Sequence, residues 1–141
     1  MSTDELRNIR RYAYEMVFSS DFQGEISYDD LFFSVDYDEE DVGDIIPKSQ
    51  LSDEQKAEIK KKVMAVAEHL EEIDKRIEGY LDGWKLNRVG KVELAALRLA
   101  IAENAYLGLD KNIVIDEAVR LMKIYGGDNA SKFVNGVLGQ M

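Results

Sequence analysis

The chain has 141 residues, 45% of them hydrophobic, with one proline and no cysteine, which suits one compact domain over residues 1–141 and excludes disulfides, zinc–thiolate sites and thiol catalysis. Its net charge of −10 would oppose nucleic acid if spread evenly, because phosphate binding draws on clustered Lys and Arg. Residues 25–54 instead hold eleven acids and one base, whereas residues 55–141 hold fourteen bases against thirteen acids, so a local basic face is compatible with the global charge.

The amino terminus, from Met1 to Glu5, lacks the basic and apolar regions of a secretory signal, and no apolar run approaches the roughly 18 residues of a membrane span. A cytoplasmic protein without membrane contact is expected. A first helix is predicted over about residues 4–22, entered through a capping box of Ser2 and Glu5 and ended by Gly24. Leu6, Ile9, Ala13, Met16 and Val17 recur at helical spacing as its core stripe. Arg7, Arg10, Arg11, Tyr14 and Phe18 are left to a second side, basic with interleaved aromatics.

Between Glu25 and Gln50 the pattern breaks into one or two short helices joined by loops, with an acidic run at residues 36–44. A second capping box, Ser52 with Gln55, opens a helical stretch to about Leu81, whose length predicts a break near His69. Residues 92–107 are apolar on nearly every side, as a central helix buried by several neighbours must be. Ile115, Ala118, Val119 and Met122 mark a further amphipathic helix stopped by Gly126 and Gly127. Asp128 is then expected to cap a last helix carrying Phe133, Val134, Val137 and Leu138 on its apolar side. No strand is predicted, and the expectation is an all-α bundle of about seven helices.

Catalytic constellations fail one by one. His69 is the sole histidine, so histidine triads and multi-histidine metal centres are unavailable. Asp36, Asp38 and Glu40 have the spacing that opens a calcium loop, but Asp41 stands at the sixth position where glycine is needed and Pro47 at the twelfth where a bidentate Glu belongs. No glycine-rich phosphate loop follows a strand, and no Asp/Glu pair can be singled out for acid–base work. No enzyme, no metal and no cofactor are expected.

Four segments carry a resemblance. They are Trp84-Lys85-Leu86-Asn87-Arg88-Val89, the run from Val92 to Ala100 with Glu103 after it, Val114-Ile115-Asp116-Glu117-Ala118-Val119, and Lys132-Phe133-Val134-Asn135-Gly136-Val137-Leu138. In this order and spacing they are similar to the NusB family, and Arg10-Arg11 with Ala13 and Glu15 looks like its amino-terminal signature. The resemblance implies an all-helical fold of two packed helical subdomains, with halves at about 1–82 and 83–141. It implies a non-catalytic bacterial transcription antitermination factor that binds boxA-type single-stranded RNA of ribosomal RNA operons within a transcription elongation complex. The implied protein partner is NusE, a small-subunit ribosomal protein that doubles as a transcription factor.

The implied RNA residues are Arg10, Arg11, Lys132 and Phe133; Arg7 joins them from the same basic side of the first helix, as does Tyr14, which replaces an arginine usual in the family and is expected to stack on an unpaired base. Phe22 and Glu93 are the implied partner contacts. Trp84 and Asn135 are expected to serve packing and backbone hydrogen bonding, and Arg98 and Glu103 to pair with charges on adjacent helices. Two other readings remain open on sequence: the NusB-like domain of a ribosomal RNA cytosine methyltransferase, and a protein-interaction bundle without RNA binding. Monomer and dimer are not distinguished.

Overall fold

In the computed structural model, residues 1–20, 22, 27–34 and 46–141 are described, the side chains of Phe33 and Ser34 excepted. The acidic run at residues 36–44 and the predicted stop at Gly24 lie outside the described residues. Seven α-helices and two short 3-10 turns account for the regular structure among them: α1 (Thr3–Ser19), α2 (Tyr28–Ser34), α3 (Asp53–Glu68), α4 (Leu70–Tyr80), α5 (Lys91–Leu107), α6 (Lys111–Tyr125) and α7 (Gly127–Leu138). The 3-10 turns, Lys48–Gln50 and Leu86–Arg88, precede α3 and α5. No strand occurs among the described residues, and none of the described helices is long and apolar enough to cross a membrane.

The local chemistry of the chain explains most of these boundaries. Ser52 and Gln55 form the complete reciprocal capping box that opens α3, satisfying two backbone amides that would otherwise lack partners. At the start of α1 only half of that arrangement is present: the Ser2 hydroxyl accepts from the Glu5 amide at 3.1 Å. The predicted break falls at His69, the single residue between α3 and α4, whose ring stacks on Tyr106 with centroids 3.7 Å apart. Gly126 lies so close to Ala130 and to Val92 of α5 that an added Cβ would come within 2.6 Å of the Ala130 methyl. Gly127 has φ 84°. This paired-glycine turn is therefore what lets α7 fold back against α6.

Helix α5 is the element on which α1, α3, α4, α6 and α7 all pack. Ala95, Ala96, Leu97, Leu99, Ala100, Ile101 and Ala102 are buried along it, and Ile9, Tyr12, Ile59, Val63, Ile73, Ile77, Met122 and Leu138 close in from the surrounding helices. The small alanines allow close helix approach, and the large side chains fill the space between.

Inside this apolar core sits an ionic cluster. The Glu103 carboxylate, on α5, accepts from Arg10 Nε of α1 at 2.8 Å and from Lys62 Nζ of α3 at 2.6 Å, and all three residues are buried. Arg98 of α5 makes a second inter-helix pair, bidentate to Asp74 of α4 at 2.9 and 3.0 Å. Arg98 and Glu103 of α5 thus pair as expected from the cost of removing a charge from water.

Several sequence expectations are corrected here. Arg10 and Tyr14 are buried, not on an outer side of α1, because a second arc of the helix is closed by α5 and by the carboxy-terminal end of α6. Leu6, placed in the core stripe, is 39% exposed, since the first turn of α1 extends past the core. Helix α1 ends at Ser19, and Phe22 beyond it takes φ 53° with its amide bonded to the Ser20 hydroxyl. Asp128 lies within the first turn of α7, which Gly126 flanks without a side-chain cap; there its charge can still complement the helix dipole. Trp84 is 60% exposed, not a packing residue.

Replacing Glu103 by Ala leaves Arg10 and Lys62 buried without their shared carboxylate, and urea unfolding followed by circular dichroism should show a loss of about 3–5 kcal/mol. Ser52→Ala, which removes only a helix cap, should cost about 1 kcal/mol in the same measurement.

Candidate nucleic-acid interface

The buried ionic cluster continues outward. Arg10 also approaches Glu117 of α6, with Nη1 3.9 Å from its carboxylate. The same carboxylate meets Arg7 Nε at 3.4 Å and Arg120 Nε at 3.8 Å. Four cations, Lys62, Arg10, Arg7 and Arg120, thereby share two carboxylates. The imbalance lies at the outer end, where Arg7 is partly exposed and Arg120 is exposed.

That outer end opens into two clefts. One, of about 670 Å³, runs between α1 and α6 and is bounded by Arg7, Arg10, Arg11, Arg120 and Lys123, with Asp4 and Glu5 at the amino-terminal end of α1. The other, of about 500 Å³, runs between α6 and α7 and is bounded by Arg120, Lys123, Lys132, Ser131 and Asn135, with Asp116 and Asp128 also on its walls. Arg120 and Lys123 belong to both, so the two clefts form one surface across α1, α6 and α7. Among the described residues neither Lys123 nor Lys132 takes part in an ion pair, which leaves both ammonium groups available to an anion.

An aromatic cluster fixes the geometry of this surface. Tyr125, the last residue of α6, packs against Tyr14 with ring centroids 4.7 Å apart, and its hydroxyl accepts from Arg11 Nε at 3.3 Å. The Arg11 guanidinium also lies over the Tyr125 ring, 5.6 Å from its centroid. Tyr14 donates to the Val92 carbonyl of α5 at 2.9 Å. Burial, with the nearby Glu15 carboxylate adding to it, pushes the Tyr14 phenol well above the usual tyrosine range, so Tyr14 stays a neutral donor at ordinary pH. Burial likewise pushes the Glu15 carboxyl above its ordinary value, opposed by the hydrogen bond with Tyr125 and by Arg11.

The model of the NusB family matches residues 7–141. The chain belongs to the NusB family. A transcription antitermination protein NusB of Acetivibrio thermocellus is 35% identical over 133 residues, covering 94% of this chain and 87% of that protein. One from Thermoanaerobacter sp. (strain X514) is 48% identical over 86 residues, a match that spans 61% of each. Among solved structures, the antitermination factors NusB and NusE in complex with double-stranded RNA give a chain with TM-score 0.79 at 32% identity, covering 99% of this chain and 96% of that one. NusB of T. maritima gives TM-score 0.78 at 28% identity, covering 99% and 91%.

Seen as a NusB-family surface, the clefts bring together only part of the set read from the sequence. Arg7 and Arg11 border the α1–α6 cleft, and Lys132 stands on the α6–α7 cleft. Phe133 is half-buried against the core beside it. Arg10 contributes from beneath, with its guanidinium held by Glu103, and Tyr14 is 1% exposed, so in this conformation it has no free face for a base to stack on. Asn135, expected to bond backbone, is exposed on the cleft wall. Phe22 and Glu93 lie away from the clefts: Phe22 packs under the Arg98 guanidinium, 5.9 Å from its ring centroid, and Glu93 sits in the first turn of α5.

Arg120 and Lys123 were not among the residues singled out from sequence. They lie one helical turn apart on α6, and that spacing is a legible sign of a shared face.

In the folded chain Glu15 holds its proton to higher pH than in the unfolded chain. Its contribution to stability is therefore greatest below the ordinary glutamate value and is lost as pH rises through the elevated folded value. Glu15→Gln should remove this dependence: relative to the wild type, the variant should gain stability as pH rises above about 4.5, measured by urea unfolding over a pH series.

Proposed function

We propose that this chain is a non-catalytic transcription antitermination factor that binds boxA-type single-stranded RNA of ribosomal RNA operons together with NusE, in the setting of a transcription elongation complex. The observation that carries the reading is the cationic surface shared by α1, α6 and α7, with Lys123 and Lys132 unpaired among the described residues and Arg7, Arg11 and Arg120 beside them. Single strands are where RNA sequence can be read by side chains, because the A-form major groove is too narrow to admit them. Arg7, Arg11, Arg120, Lys123 and Lys132 would contact phosphates, and Asn135 and the exposed edge of Phe133 would meet a base. Arg10 and Tyr14 act one step removed. Arg10 ties the cleft floor to Glu103, and Tyr14 holds Tyr125 and through it Arg11.

The relatives' name, transcription antitermination protein NusB, and the solved assembly of NusB with NusE and double-stranded RNA support the antitermination, NusE and RNA parts of this reading. Phe22 and Glu93 are the proposed contacts with NusE, on the side of the molecule where α1 ends and α5 begins. The proposed unit of function is the whole chain, residues 1–141, in a cytoplasmic setting.

Fluorescence anisotropy with a labelled boxA-like RNA, with and without NusE, tests the proposal. Tighter binding to the boxA-like sequence than to a scrambled one, strengthened by NusE, is expected; equal and negligible binding to both in both conditions would overturn it. Over a salt series, Lys123→Ala and Lys132→Ala should each reduce the slope of log affinity against log salt by about 0.7, the loss of one phosphate contact on a single strand. An unchanged slope in both variants would remove the α6–α7 cleft from the site.

A further inference from the structure

The chain between α4 and α5 holds its single tryptophan in the open. Asp82, a non-glycine residue with φ 50°, and Gly83, with φ 91°, turn the backbone twice through the left-handed region immediately before Trp84. The Trp84 amide is held by the Leu81 carbonyl at 3.1 Å, and the 3-10 turn Leu86–Arg88 follows, with Leu86 packed against the core. The indole is 60% exposed, the highest value among the exposed large hydrophobic residues. The turn is held on both sides of the indole, by the Leu81–Trp84 backbone bond and by the packing of Leu86.

The charges around the indole narrow what it can meet. Gly83, Trp84, Lys85 and Arg88 border a depression of about 450 Å³ that shares no residue with the clefts on α1, α6 and α7. Lys85, Arg88 and Lys91, the first residue of α5, are exposed, with Asp82 the one acid in that stretch. Among the described residues neither Lys85 nor Arg88 takes part in an ion pair. An exposed π-face that borders one depression with two unpaired cations is complementary to an unpaired base and its neighbouring phosphates: the base stacks on the indole while the cations replace counterions along the backbone. An apolar protein surface would leave those cations desolvated without partners, at a cost.

We propose that Trp84, with Lys85 and Arg88, forms a second single-strand contact on this chain, a stacking platform for one unpaired base of an RNA that also engages the α1–α6–α7 surface. This rests on the RNA-binding reading above and extends it to a part of the molecule outside that surface. It asks the RNA to be long enough to reach both places.

Because the chain has one tryptophan, its emission reports on this place alone, while the anisotropy of a label on the RNA reports binding anywhere on the protein. The experiment titrates the full chain with single-stranded boxA-like RNA and follows both signals, for the wild type, Trp84→Ala, Lys85→Ala/Arg88→Ala and Lys123→Ala/Lys132→Ala. Trp84 is exposed, and unchanged helical circular dichroism will confirm that each variant folds. Quenching of Trp84 emission that saturates with the anisotropy is expected, with affinity reduced on the order of tenfold in Trp84→Ala and quenching lost or weakened in Lys85→Ala/Arg88→Ala. Anisotropy that rises normally while the emission stays unchanged, with Trp84→Ala binding as the wild type does, would overturn the platform and leave the α1–α6–α7 site standing. Emission that responds to NusE but not to RNA would overturn it too, in favour of a protein contact. Quenching that persists in Lys123→Ala/Lys132→Ala after the salt slope of the main surface has fallen would support two separate contacts. Absence of any anisotropy change and any quenching would overturn both.

Discussion

The shared carboxylate of Glu103 is the constraint around which the rest of this molecule is arranged. It draws a cation from α1 and another from α3 onto α5, in an interior that is otherwise mostly apolar. Burying three charges is expensive, and the compensation is geometric: short, charge-assisted hydrogen bonds that only one relative placement of the three helices allows. Apolar packing of α1 on α5 would tolerate some sliding or rotation, whereas Arg10 must meet Glu103. The cluster therefore sets the register of α1, and with it the positions of Arg7, Arg11 and Tyr14.

Its reach to the surface runs through Glu117. One carboxylate serves Arg7, Arg10 and Arg120, so the inner ion cluster and the outer cationic surface are parts of one network. Positive charge is in excess at its outer end, and Lys123 and Lys132 add to it. A chain with net charge −10 can thus present a face suited to phosphate, because its excess acid is concentrated in residues 25–54 and its cations are gathered by fold. Arginines held by carboxylates and aromatic rings are pre-organised, which lowers the entropic cost of ordering them when a ligand binds. The aromatic side chains divide between two tasks: Tyr14 and Tyr125 brace the cleft from inside, and Trp84 stands exposed on a separate loop.

Much of the fold was legible in the sequence, and particular residues show why. The Ser52–Gln55 box, the break at His69 and the paired glycines at 126 and 127 act within a few positions of themselves, so local pattern suffices to find them. The all-round apolarity of α5 announces a central helix for the same reason. What could not be read was which polar residues turn inward. Arg10 and Arg11 are neighbours with the same side chain, yet Arg10 is buried because its partner lies 93 positions away on α5. Tyr14 is likewise buried by a carbonyl 78 positions distant. The candidate surface was half legible: Arg7 is marked by the basic side of the first helix and Arg11 and Lys132 by family resemblance, while Arg120 and Lys123 join them only when α6 lies between α1 and α7. Apolar character in Trp84 predicts burial, but the indole stands exposed after a turn with two left-handed residues.

We propose the surface of α1, α6 and α7, held by the Glu103–Arg10–Glu117 network, as the place where RNA binds. Hydrogen–deuterium exchange of the chain with and without a boxA-like RNA, at equal salt, tests it most directly. Added protection is expected in the carboxy-terminal half of α6 and in α7, with a smaller change in the first turns of α1. Saturating RNA that leaves exchange in α1, α6 and α7 unchanged would contradict it.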